Sequence, residues 1–153
     1  MTSRCGSSTV TISASASNEG ELARILIAED EEAIRSLVAR ALTQDGHEVV
    51  TVNDGAEALD VLTRQHGAFE LLLADIRMPV MDGIALALAT ARDHPTITIL
   101  LMTAYADQRE RASGLNTLIH DVITKPFTLA DIRAAVDGAL MAGAKRRDDR
   151  RNQ

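Results

Sequence analysis

The chain has 153 residues, 46% of them hydrophobic and 25% charged, enough for one domain with a real core and with no sign of two. Phe69, Tyr105 and Phe127 are its only aromatic residues, so the core has to come from Leu, Ile, Val and Ala, as in an α/β layer structure. The single cysteine, Cys5, excludes an intrachain disulfide and a cysteine-based structural zinc site. No apolar run reaches membrane-spanning length and no apolar signal core opens the chain, so the expected location is the cytoplasm.

Residues 1–21 are rich in Ser, Thr, Ala and Gly and are expected to form a disordered extension. The folded unit is expected over 22–142. It starts with a strand at 24–28 and a helix whose Ile34, Leu37, Val38, Ala41 and Leu42 recur at helical spacing. Asp45-Gly46 ends that helix. A second strand is read at 47–52, a turn at Asn53-Asp54-Gly55, and a helix over 56–64.

The third strand, 69–74, runs into Asp75-Ile76-Arg77-Met78-Pro79-Val80-Met81-Asp82-Gly83, a loop that Pro79 and Gly83 keep irregular. A helix at 84–93 and a strand at 97–102 follow. From 106 to 117 the apolar signal weakens, so any helix there is short. A fifth strand is read over 118–124, before Lys125-Pro126-Phe127. The last helix starts at Thr128, an N-cap with Asp131 in capping-box position.

Five strands alternating with five helices imply a flavodoxin-like (βα)5 fold, a doubly wound parallel sheet in the order 2-1-3-4-5. Its switch point lies between strands one and three, so Glu29, Asp30 and Asp75 meet at one carboxyl edge. Such an oxygen-only set suits Mg²⁺, with the Arg77 backbone carbonyl as a further ligand. Lys125 adds a positive charge opposite the metal, and the Thr103 hydroxyl can donate to a phosphoryl oxygen. Asp75 is then the nucleophile that accepts phosphorus.

Four segments, Ala28-Glu29-Asp30-Glu31, Asp75 to Gly83, Thr103-Ala104 and Lys125-Pro126-Phe127, resemble the signatures of the two-component response-regulator receiver domain, in order and at family spacing. The resemblance runs from about Ile25 to Leu140. It implies that Asp75 takes phosphate from a histidine kinase or histidine phosphotransferase. It also implies that Glu29 and Asp30 hold Mg²⁺, that Thr103 and Ala104 form the phosphoryl-binding and switch position, and that Lys125 neutralises the phosphoryl group. A receiver is a phosphoacceptor that at most catalyses its own phosphorylation and dephosphorylation, and it switches binding to a downstream effector protein.

The sequence departs from the family where receivers commonly carry a Tyr or Phe three residues before the lysine; here that residue is Val122. Tyr105, two after Thr103, is the candidate gate, overhanging Asp75 together with Arg77. Of stand-alone receivers, the strand-one and strand-three segments look most like a cell-cycle regulator that delivers substrates to an ATP-dependent protease. A phosphorelay intermediate without its own output is the alternative. An aspartyl-phosphate type phosphohydrolase is a further one, but such enzymes place a second Asp where this chain has Arg77.

Residues 143–153 are read as a basic tail and frayed helix end. Five of the sixteen basic residues sit there, so the rest of the chain, with most of the 22 acidic residues, is net negative and would be repelled by nucleic acid. The four histidines are read as surface residues. The polar segment 106–117 weakens any dimer face, so a monomer or weak dimer is expected.

Overall fold

The computed structural model describes residues 22–152, so the expectations for Cys5 and for an N-terminal extension over 1–21 lie outside the described residues. Five strands, β1 (Arg24–Ala28), β2 (Glu48–Val52), β3 (Leu71–Asp75), β4 (Thr98–Thr103) and β5 (Asp121–Thr124), form one sheet in the order β2-β1-β3-β4-β5. All four pairings are parallel. Helices α1 (Glu32–Gln44), α2 (Gly55–Arg64), α3 (Gly83–Asp93), α4 (Ala106–Ser113) and α5 (Leu129–Arg151) make the crossovers. This is the flavodoxin-like order expected from the sequence.

Strand alternation sorts the core into two layers. Leu26, Leu72, Ile99 and Leu101 face Leu62 and Leu86 of α2 and α3, whereas Ile25, Ile27, Leu71, Leu73 and Leu100 face Val38 and Leu42 of α1 and Ile132, Val136 and Leu140 of α5. Every β3 and β4 residue is buried, as required of central strands covered on both sides. The helix starts follow the polar residues before them. Asp54 accepts from the Glu57 N–H, Asp82 from the Ala85 N–H, and Thr128 with Asp131 closes a complete capping box.

Two readings need correction. The fifth strand starts at Asp121, because the N–H groups of Leu118 and Ile119 both donate to the Leu115 carbonyl in closing the turn after α4; only from His120, whose N–H donates to Ile99 O, does the chain pair with β4. The last helix does not fray into a basic tail. It runs through Arg151 and stays on the sheet, because Gly143 lets the backbone approach β4, where an added Cβ would lie 2.2 Å from Thr98 Oγ1. Arg146 then donates to Thr98 Oγ1 at 3.0 Å and Arg147 to the Thr96 carbonyl at 3.3 Å.

Candidate functional site

Parallel registry brings the strand ends level. Ala28 pairs with Ala74, Asp75 with Met102, and Thr103 with Thr124, so Glu29, Asp75, Thr103 and Lys125 emerge together at the carboxyl edge. Glu29, Asp30 and Asp75 each offer a carboxylate oxygen within 4.8 Å of the others. Lys125 reaches into this cluster, with its Nζ 2.8 Å from Glu29 Oε1 and 3.0 Å from Asp75 Oδ2. Glu31 is more distant, 4.0 Å from the same nitrogen. Asp30, Glu31, Asp75, Arg77, Ala104, Tyr105 and Lys125 line a cleft of about 230 Å³.

The electrostatics follow from burial. Glu29 is wholly shielded from solvent, which pushes its carboxyl up to about 7 in spite of the hydrogen bonds from Lys125 and the Glu31 N–H, with the Asp75 charge adding to the rise. Burial acts against the Lys125 ammonium as well, but hydrogen bonds to Glu29 and Asp75 outweigh it and hold the ammonium above its ordinary range. Three crowded carboxylates with one ammonium among them retain excess negative charge. A donor set made only of oxygen suits a hard divalent cation.

The loop after β3 is built around the site. The Gly83 N–H donates to Ile76 O at 2.8 Å, and a Cβ on Gly83 would lie 2.3 Å from Asp75 O. Only glycine allows the start of α3 to pass so close to the backbone of Asp75. Met78 is buried against the core. Val80, at the loop tip, is 84% exposed and has φ +70°.

Thr103 sits where expected, but its hydroxyl is already engaged. It donates to Gln108 Oε1 at 3.0 Å and accepts from the Tyr105 N–H at 3.1 Å. The Arg77 guanidinium lies 4.9 Å from the centre of the Tyr105 ring, and both residues line the cleft over Asp75. Sequence reasoning missed Gln108, because nothing in a first helical turn marks which polar residue will bend back on the strand end. It also missed Arg35, whose Nη1 donates to the Glu29 carbonyl at 2.8 Å. His47, read as a surface residue, is buried and accepts from the Ala23 N–H through Nδ1 at 3.1 Å. Its place at the foot of β2, beside the start of β1, explains the burial.

The family model described as the response regulator receiver domain matches residues 25–137. The chain belongs to this family. It is 38% identical over 114 residues to the DNA-binding transcriptional regulator NtrC of Klebsiella pneumoniae, covering 74% of this chain and 24% of that one. It is 35% identical over 111 residues to the transcriptional regulatory protein TcrA of Mycobacterium tuberculosis (strain ATCC 25618 / H37Rv), covering 72% and 43%. The chain thus spans less than half the length of these relatives. Among solved structures, a CheY-like receiver domain protein from Methanospirillum hungatei JF-1 superposes with a TM-score of 0.74 at 28% identity, covering 82% of this chain and 99% of the other. The response regulator TrrA from Thermotoga maritima, in complex with Mg²⁺-BeF, gives 0.67 at 29% identity, covering 76% and 97%. Receiver domains are phosphoacceptors of two-component systems and bind Mg²⁺ in their acidic pocket. No described helix is long and apolar enough to cross a membrane.

Proposed function

We propose that Asp75 accepts a phosphoryl group from the phosphohistidine of a histidine kinase or phosphotransferase, in a Mg²⁺-dependent reaction that switches the binding of an effector protein. The observation that carries this reading is the position of Asp75 in the cleft floor. Its carboxylate lies within 4.8 Å of those of Glu29 and Asp30 and 3.0 Å from the Lys125 ammonium. A carboxylate oxygen attacks phosphorus, the phosphorus–nitrogen bond of the donor breaks, and the departing imidazole takes up a proton. Glu29, Asp30, Asp75 and the Arg77 backbone carbonyl would hold the metal, which supplies charge neutralisation for the incoming phosphoryl oxygens. Lys125 supplies the second positive charge.

Ala104, small and lining the cleft, leaves room for the phosphoryl oxygens. For Thr103 to donate to one of them, its hydroxyl has to leave Gln108, and this exchange is the switching step that the geometry favours. Resemblance of the strand-one and strand-three segments supports an effector tied to an ATP-dependent protease. The position two residues after Asp75 belongs to Arg77, which has no carboxyl to act as a general acid. That favours a receiver over a phosphohydrolase.

Intact-mass spectrometry after incubation with acetyl phosphate tests the reading. The expected result is the added mass of one phosphoryl group, requiring Mg²⁺ and absent in Asp75→Asn. Addition without Mg²⁺, or retained in Asp75→Asn, would overturn it.

Tyr105 and Arg77 are proposed to hinder water at the acyl phosphate. In Tyr105→Ala, loss of the phosphoryl group is expected to accelerate about tenfold, which is only about 1.4 kcal/mol in the barrier. An unchanged lifetime, read by the same mass measurement, would remove the gate.

A further inference from the structure

At the amino edge of the sheet, opposite the acidic cleft, lies a cavity of about 460 Å³ between the end of α5, the foot of β4 and the turn before β5. Arg146 and Arg150, one helical turn apart, form one wall, and Asn116, Thr117 and His120 face them. Its lining contains no Asp or Glu. Among the described residues, Arg146, Arg147 and Arg150 form no ion pair.

Arg146 and Arg147 lie in the turn before the last of α5, whose final turn carries Arg150 and Arg151. Arg146 donates to the hydroxyl of Thr98, the first residue of β4, and Arg147 to the carbonyl of Thr96, two residues before it, so the guanidiniums are held over the sheet edge. The close approach at Gly143 fixes that part of the helix. Burial, and then the like charges of Arg147 and Arg150, hold the Arg146 guanidinium below its ordinary range. An anion in the cavity would relieve that crowding and take charge-assisted hydrogen bonds from Arg146, which Thr98 already holds in position, and from Arg150 beside it.

We propose that this cavity binds a small phosphate-bearing ligand of nucleotide size, on guanidiniums of Arg146 and Arg150 opposite the polar wall of Asn116, Thr117 and His120. The volume falls within the range of about 300–1,000 Å³ usual for small-molecule sites. The phosphate class follows from paired guanidiniums, which match the geometry of phosphate oxygens. Polar groups on the facing wall suit the remainder of such a ligand.

Titration calorimetry on the full chain, in chelator and without Mg²⁺ so that the acidic cleft repels the probe, tests this with pyrophosphate and ADP. Saturable binding of either probe at one per chain is expected, unchanged in Asp75→Asn and weakened about tenfold or more in Arg146→Gln/Arg150→Gln, as for the loss of a charged hydrogen bond. Arg150→Gln alone alters an exposed residue whose side chain forms no ion pair among the described residues, so it keeps the fold while still weakening binding several-fold. Absence of saturable binding, or equal binding by the arginine variants, would overturn the proposal. So would binding of a DNA duplex with both small probes inert, which would make the face a nucleic-acid contact.

Discussion

The two edges of the sheet are opposite in charge but alike in construction. At the carboxyl edge three carboxylates crowd together, two of them on one lysine; at the amino edge three arginines crowd near β4, none of them in an ion pair among the described residues. Each concentration of like charge is held by a glycine where a helix nearly touches a strand end or the loop leaving it, Gly83 against Asp75 and Gly143 against Thr98. The difference lies in what the glycine meets. Gly83 faces backbone, which cannot give way, whereas Gly143 faces a threonine side chain.

Substitution at those two glycines should separate the edges most strongly. Gly83→Ala puts its Cβ 2.3 Å from Asp75 O, and overpacking of this kind costs about 1–3 kcal/mol; the upper end is expected here. Phosphorylation should fall as well, because relief of the clash has to displace Asp75. Gly143→Ala should cost about 1 kcal/mol, with helix propensity offsetting part of the strain, and should leave phosphorylation intact. Adding Thr98→Ala to it removes the opposing hydroxyl and should recover most of the loss. Urea unfolding of the three variants measures this, and equal losses for both glycines would break the distinction.

Titration should also separate the edges, and in opposite directions. His47 is buried with Nδ1 accepting from Ala23 N–H, and burial holds the ring below its usual value of 6.5, against the pull of Asp45 and Asp137. Its neutral form is the folded form, so its contribution is complete above pH 6.5 and is lost as the pH falls from there towards the folded value. Glu29 behaves oppositely. Its carboxyl is raised from 4.5 to about 7, so the stability it contributes is present below about pH 4.5 and is lost as the pH rises through 7. Urea midpoints between pH 5 and 8 without Mg²⁺ should show a flatter acid-side decline in His47→Asn and a flatter neutral-side decline in Glu29→Gln. A profile of the wild type reproduced by both variants would refute these assignments.

The carboxyl edge was legible in the sequence because its chemistry lies where apolar runs stop. Ile25 to Ala28 and Leu71 to Ala74 read as buried strands, so Glu29 and Asp75 fall at their ends without knowledge of the pairing. Strand order then brought them together. The amino edge was not legible. Arg146 and Arg147 read as a solvated tail because nothing local says that Gly143 will seat α5 on Thr98, and that contact spans 45 residues of sequence. His47 hid for the same reason: its acceptor role depends on Ala23, just before the neighbouring strand β1. Gln108 is a third case, a polar side chain in a weak helix whose partner is fixed only when β4 and α4 are both in place.

The smallest expected effect concerns backbone strain, which also occurs once on each edge. Among the described residues only His66 and Val80 have positive φ without being glycine, 55° at the amino edge and 70° at the carboxyl edge. A left-handed conformation costs a residue with a Cβ about 1–2 kcal/mol, and β-branching makes Val80 the more strained, whereas histidine is among the residues that enter this region more readily. Glycine removes the strain but has more freedom to lose on folding, which offsets about 0.5–1 kcal/mol of the gain. Val80→Gly should therefore stabilise by about 0.5–1 kcal/mol and His66→Gly by less, both residues being exposed so that little packing is lost. Denaturant midpoints distinguish the two. Should His66→Gly gain as much as Val80→Gly, the strain at the loop below Asp75 is not special to the carboxyl edge; should Val80→Gly lose stability, the methyl groups of Val80 contribute more than its conformation costs.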